Sequence, residues 1–250
     1  MSAGNLGGAE RDSMSKSSVI ALVSVVLSLS AGWANAQWTA YNDVCYSSTS
    51  GHPALQPNVT TFNIGTGSPG PTGGVLVNKA TGASTGVNAT LTQNGTVVWQ
   101  PSTSSGGTDC SVGTDARNIF DPASTVSLVG TVYYGATGWW VDVTFTGLNP
   151  AKPYTFVTTA NRANTSYTDR LTKYTISGAD AFTNTSSTGT TIDGGGASTT
   201  FCTGNNTATG YVARWTAINP GSDGSFKVRA EARSLPKGFS ATNRCQGPSV

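Results

Sequence analysis

The chain is poor in the side chains that move protons and grip metals. Between residues 37 and 250 it holds one glutamate, Glu231, and one histidine, His52. Hydrolytic chemistry draws on carboxylate pairs, histidine relays or metals held by His, Cys, Asp and Glu, and little of that material is here. Charged residues are 10% of the chain and the formal net charge is +2, which argues against nucleic acid or an anionic membrane surface as a partner. None of the four cysteines sits in a C-x-x-C pair, so a zinc knuckle is not expected. Beyond residue 36 there is no apolar run long enough for a membrane-spanning helix, which takes ~20 residues.

The one long apolar run, Val19–Ala31, follows a polar stretch containing Arg11 and Lys16 and precedes Ala34-Asn-Ala36. That layout predicts a secretory signal peptide over residues 1–36, cleaved before Gln37. Residues 37–250 then form a single exported domain, large enough to bury a substantial core. In an exported chain an even number of cysteines predicts two disulfides. Three pairings exist, and spacing does not choose among them. Cys45 with Cys245 is favoured because the chain ends of a sandwich often lie close together, which leaves Cys110 with Cys202.

What the sequence has in abundance is period-two alternation broken by Gly, Asn, Pro and Ser clusters. From Trp139 to Thr146, Trp139, Val141, Val143 and Phe145 share one face, and Trp140, Asp142, Thr144 and Thr146 the other. Phe226, Val228, Ala230 and Ala232 alternate with Lys227, Arg229, Glu231 and Arg233. Tyr211, Ala213 and Trp215 stand opposite Val212, Arg214 and Thr216. Further strands are predicted at 59–64, 74–77, 87–92, 96–99, 126–134, 154–160, 170–176 and 199–203, with long loops near 65–74, 101–113 and 183–198. About ten short strands and no long amphipathic helix predict an all-β, two-sheet antiparallel sandwich of jelly-roll or galactose-binding-like type. In the turn Gly147-Leu-Asn-Pro-Ala-Lys-Pro-Tyr154, Leu148 is expected to drop into the core. The Tyr154 hydroxyl is expected to bond nearby backbone.

Several segments then resemble one family in order: Trp38-Thr-Ala-Tyr-Asn-Asp43, Gly113-Thr-Asp-Ala116, Thr144-Phe-Thr-Gly-Leu-Asn-Pro150, Asn161-Arg162 with Tyr167-Thr-Asp-Arg170, Gly210-Tyr-Val-Ala-Arg-Trp215, and Asn219-Pro-Gly-Ser-Asp-Gly224. They are similar to β-sandwich modules of exported bacterial proteins, sometimes found beside secreted hydrolase domains and related in form to galactose-binding-like and carbohydrate-binding modules. The resemblance rests on turn and core residues. It implies the fold, and an extracellular or cell-surface setting, and supplies no catalytic residues to carry over.

The candidates for chemistry divide accordingly. Gly82-Ala-Ser-Thr-Gly86 matches G-x-S-x-G, but a nucleophile elbow needs a following helix and none is predicted. The aspartates are scattered. Asp115 and Asp121 are close in sequence, and so are Asp169 and Asp180, and a glycosidase would need such a pair to face a sugar. Calcium suits loop oxygens better than zinc does, and Asn42, Asp43 and Asp115 are its candidate ligands. Aromatics are the stronger lead, because a sugar ring stacks on an outward tryptophan or tyrosine while polar groups fix its hydroxyls. Trp140 and Tyr134, joined through the Gly135–Gly138 turn, form one such candidate. Asn161, Arg162, Tyr167, Asp169 and Arg170 form a second, polar–aromatic one. Six N-x-S/T sites, at Asn58, Asn88, Asn94, Asn164, Asn184 and Asn205, follow from the Asn and Thr richness. The sequence thus predicts a monomeric, non-catalytic, secreted module that recognises polysaccharide or cell-surface glycan. A structural or adhesive protein, and a hydrolase using an Asp pair, are the alternatives.

Overall fold

The computed structural model describes residues 37–44, 56–62, 71–94, 107–121, 126 and 138–233. The predicted signal peptide, the predicted strand at 96–99, all of that at 126–134 except Val126, His52, Tyr134, Cys45 and Cys245 lie outside these residues. Among the described residues no helix is long and apolar enough to cross a membrane.

Twelve strands are described: β1 (Tyr41–Asn42), β2 (Val59–Thr60), β3 (Gly73–Val77), β4 (Ser84–Gln93), β5 (Trp140–Thr146), β6 (Tyr154–Thr158), β7 (Leu171–Ser177), β8 (Ala181–Asn184), β9 (Thr191–Asp193), β10 (Ser198–Cys202), β11 (Ala213–Asn219) and β12 (Phe226–Arg233), with one short helix, α1 (Asp115–Ile119). A seven-stranded antiparallel sheet runs β3-β4-β5-β12-β7-β10-β9, and a three-stranded antiparallel sheet runs β6-β11-β8. A small parallel pair, β1-β2, forms a separate two-stranded sheet whose flanking Trp38, Ala40 and Phe62 pack on the main core. From β5 onward nearly every connection carries the chain from one sheet to the other, so hydrogen-bonded neighbours come from distant parts of the sequence.

The two sheets share one core. Val87, Ala89 and Leu91 of β4, Tyr174 and Ile176 of β7, Phe201 of β10, and Phe226 and Val228 of β12 meet Ala213, Trp215 and Ile218 of β11. Val141, Val143 and Phe145 of β5 and Tyr154 and Phe156 of β6 pack against them. The period-two alternation of β5 and β12 therefore divides core from outer face as predicted. Burying one such large apolar side chain is worth about 1.5–3 kcal/mol. In β11 the alternation is broken by a bulge between Trp215 and Ile218, with Ala217 at φ +50°. The extra residue lets Trp215 and Ile218, three positions apart, both reach the core.

The turn at 147–154 behaves as its residues predict. Leu148 is buried, and the Tyr154 hydroxyl accepts a hydrogen bond from the Asn149 N–H at 2.7 Å. Gly224 closes this end: its carbonyl accepts from the Leu148 N–H at 3.0 Å, its φ is +62°, and a Cβ there would collide with the Leu148 carbonyl.

The expected loop at 183–198 is a correction. β8 extends to Asn184, β9 spans 191–193, and a 3-10 turn occupies Gly194–Gly196. The Gly196 carbonyl accepts from Trp215 Nε1 at 2.9 Å and from Asn184 Nδ2 at 2.7 Å. The buried indole must place its N–H somewhere, and it fixes the glycine turn by doing so.

Residues Val212 and Val157, on the outer side of the three-stranded sheet, are capped by α1 through Ala116, Ile119 and Phe120, with Cys110 in the same cluster. The helix is only five residues long and is started by Thr114, whose side chain accepts from the Arg117 N–H.

Candidate binding face

Strand register sets the outer face of the seven-stranded sheet. Asp142 of β5 stands between Thr92 of β4 and Arg229 of β12, and Arg229 is next to Thr175 of β7. Two residues along, Trp140, Glu231, Lys173 and Thr200 form the next row, on β5, β12, β7 and β10. Two residues the other way come Thr90, Thr144, Lys227 and Ser177.

Asp142 is the centre of this face. It points away from the apolar core, yet it is only 3% exposed. Arg229 grips it with both prongs, Nε to Oδ1 at 2.7 Å and Nη2 to Oδ2 at 2.9 Å, and Lys227 Nζ reaches Oδ2 at 3.0 Å. Burial alone would raise the Asp142 carboxyl. The hydrogen bonds and charges of Arg229 and Lys227 outweigh it and hold the group below the usual carboxylate range. The same bond to Asp142 raises the Arg229 guanidinium further. That guanidinium lies over the Trp140 ring, 4.1 Å from its centroid, a cation–π contact that fixes both groups. Lys173 pairs with Glu231 at 3.4 Å, and Arg233 pairs with Asp193 at 2.9 Å.

The sequence placed Trp140, Asp142 and Thr144 on one outward face, and that is where they lie. It did not single out Asp142, Arg229 and Lys227 as a unit, because β5 and β12 are 87 residues apart where they meet. The signal available was a pair of strongly alternating strands, one with an outward aspartate and the other with outward cations. Tyr134, the proposed companion of Trp140, lies outside the described residues.

The second candidate cluster is largely scaffold. Asn161 is fully buried. Its Nδ2 donates to the Thr108 carbonyl and Thr207 Oγ1, and its Oδ1 accepts from the Ala163 and Asn206 N–H groups. All its hydrogen-bonding positions face protein, so its expected role as a ligand contact is corrected to that of a loop clamp. Arg162 anchors its backbone on the Thr203 carbonyl. Arg170 stacks on Tyr167, 3.3 Å from the ring centroid, above Gly204, where a Cβ would collide with Tyr167 and Arg170. Asp169 is exposed, and its carbonyl accepts from the Leu171 N–H.

The candidate calcium ligands have protein neighbours of their own. Asn42 Nδ2 donates to Thr60 Oγ1 at 3.0 Å, and Asp115 Oδ2 accepts from Ser187 Oγ at 2.6 Å. Asp43 is buried next to β1. The Tyr41 hydroxyl, beside Asn42, reaches Ile119 at the far end of α1 from Asp115. Among the described residues no three His, Cys, Asp or Glu side chains gather as a metal site. The predicted aspartate pairs lie at opposite ends of secondary-structure elements. Asp169 and Asp180 flank opposite ends of β7, a seven-residue strand about 20 Å long, and Asp115 and Asp121 flank opposite ends of α1. Gly82–Gly86 leads into strand β4, not into a helix.

The expected bond between Cys110 and Cys202 is corrected as well. Cys110 is a buried free thiol. It sits under α1 outside the three-stranded sheet, whereas Cys202 ends β10 in the seven-stranded sheet. Burial, then the charge of Asp109, pushes the Cys110 thiol up to about 12, so it is inert at neutral pH. Cys202 is not a free thiol.

No protein-family model, no curated protein and no solved structure matches this chain.

Proposed function

We propose that the outer face of the seven-stranded sheet is a non-catalytic recognition surface for extracellular carbohydrate. The observation that carries this reading is Trp140, a half-buried indole held outward on the sheet, with the Arg229 guanidinium over its ring. The same face carries the hydroxyls of the exposed Thr90 and Thr92 and the half-buried Thr144, the mixture of one aromatic surface and several polar groups that orients a sugar. The guanidinium covers part of the ring, so a saccharide meets the indole and the edge of Arg229 together. A rigid sheet lowers the ordering cost of such contacts.

The test is a glycan array probed with the native protein and with Trp140→Ala. Specific binding that falls at least about tenfold in the variant, with the melting temperature kept, supports the reading; tenfold corresponds to about 1.4 kcal/mol. A blank array from folded protein points instead to a structural or adhesive role. Turnover of a polysaccharide that one Asp→Asn change abolishes would replace both with a hydrolase.

A further inference from the structure

The cations above Asp142 bear on what kind of sugar this face would hold. A guanidinium carries five N–H donors and an ammonium three. Arg229 uses two of its donors on Asp142, and Lys227 uses one. Three donors of Arg229 and two of Lys227 remain. Two cations sharing one carboxylate leave a local charge of +1, whereas Lys173 with Glu231 and Arg233 with Asp193 are one-to-one pairs. The excess positive charge of the face is therefore concentrated around Asp142, with Arg229 on the Trp140 side and Lys227 on the Thr144 side, while Glu231 stands opposite Trp140. The cations are also positioned in advance. Asp142 holds both from beneath, the indole supports the guanidinium, and about a third of each cation's side chain is exposed. On one face of a strand, positions two apart lie about 6.6 Å apart. One planar or tetrahedral anion can thus bridge Lys227 and Arg229, with the Nη1–Nη2 edge that Arg229 does not use on Asp142 suited to two of its oxygens.

We infer that the ligand of this face is an anionic polysaccharide, one whose carboxylate or sulfate groups bind to Arg229 and Lys227 while a neighbouring sugar ring rests on Trp140. This rests on the carbohydrate reading above and adds the charge class of the ligand. Asp142 is the positioning residue: it orients the cations and does not touch the ligand.

The experiment measures binding of the full chain to matched polymers across a salt series. Polygalacturonate is set against its fully methyl-esterified form, and dextran sulfate against dextran, so that carboxylate and sulfate are read separately. The expected result is binding to at least one acidic polymer that is about tenfold or more tighter than to its neutral counterpart and that weakens as salt rises. Lys227→Gln, at a partly exposed site that leaves the Arg229–Asp142 pair intact, should lose about tenfold on the acidic polymer. Arg229→Lys, which keeps the charge but removes the fork, should lose a comparable factor. Equal, salt-insensitive binding to acidic and neutral polymers would overturn the inference while sustaining the carbohydrate reading. Acidic-polymer binding untouched by both substitutions would overturn it too, as undirected charge attraction. No binding to any of these polymers would overturn it, and a blank glycan array alongside would remove the carbohydrate reading as well.

Discussion

Two polar clusters of this molecule look alike in composition and differ in what they leave available. At one end of the sandwich, Asn161 and Asn206 are fully buried and tie together the segments around Thr108, Thr159–Ala163 and Thr207–Tyr211. Their donors and acceptors are engaged with protein. On the outer face, Asp142 is nearly as buried, but the cations above it retain donors that the protein does not use. Buried polar groups need partners, and a cluster whose partners are all internal serves the fold. A cluster with a satisfied base and unsatisfied outer donors is suited to something else. The difference separates scaffold from candidate site more sharply than residue type does, since Asn161 and Arg170 belong to the kind of list from which binding sites are usually drawn.

The largest effect expected is at the closed cluster. In Asn206→Ala the Ala160 carbonyl loses its donor and the Tyr211 N–H and Thr209 hydroxyl lose their acceptor, while the Tyr211 carbonyl keeps only the Thr159 hydroxyl. Leaving several such groups buried and unpaired costs about 3–4 kcal/mol. Urea denaturation with an unchanged m-value measures it, and a loss below about 1 kcal/mol would mean that water replaces the side chain easily and that the two clusters are not different in kind. By the same comparison Lys227→Gln, on the open cluster, should shift stability by less than about 1 kcal/mol.

The intermediate effect belongs to Asp142 and is read against pH. Its folded carboxyl lies below the ordinary range. A depressed folded value contributes stability that is fully present above the ordinary carboxylate range, and that is lost as pH falls through that range and on through the lowered folded value. Asp142→Asn should therefore cost about 1–2 kcal/mol at neutral pH, a figure kept modest because Arg229 and Lys227 are partly exposed and water screens them. The gap between native protein and variant should close as the solution is acidified. A gap that stays constant from neutral to acid would show that the substitution acts through packing and not through charge.

The sandwich was legible because alternation reports which face of a strand is buried whatever the strand pairs with. That is why β5 and β12 read correctly, and why Leu148 and Tyr154 could be placed from their turn alone. The same alternation carries no information on which strands are neighbours. Asp142 thus read as one scattered aspartate, and Lys227 and Arg229 only as the polar positions alternating with an apolar face, until β5 and β12 were laid side by side. The glycine run at 194–196 read as loop for a related reason: the partner that fixes it, the Trp215 indole, lies in another strand. Burial hides from sequence in the same way. Asn161 carries the polar amide expected of a ligand contact, and only its enclosure by Thr108, Thr207 and Asn206 shows it to be a clamp. The Cys110–Cys202 pairing failed because an even count fixes neither neighbours nor burial.

The smallest effect tests how firmly the closed cluster sets its own backbone. Ala163 follows the clamp with φ +57°, a left-handed conformation in which its Cβ is crowded, and its N–H is held by Asn161 Oδ1 at 3.0 Å. The left-handed conformation costs an alanine roughly 1–2 kcal/mol, which glycine avoids, while glycine loses about 0.5–1 kcal/mol through the greater freedom of its unfolded chain. Ala163→Gly should therefore stabilise by about 0.5 kcal/mol, visible as a small rise in the urea midpoint at constant m. A loss exceeding about 1 kcal/mol would mean that the Ala163 methyl contributes packing that outweighs its strain. If Ala163→Gly instead restored part of what Asn206→Ala removes, beyond simple addition, the two positions would be coupled through the Asn161 clamp. The loop would then be held as one unit, which is the property that distinguishes this end of the sandwich from the open face around Trp140.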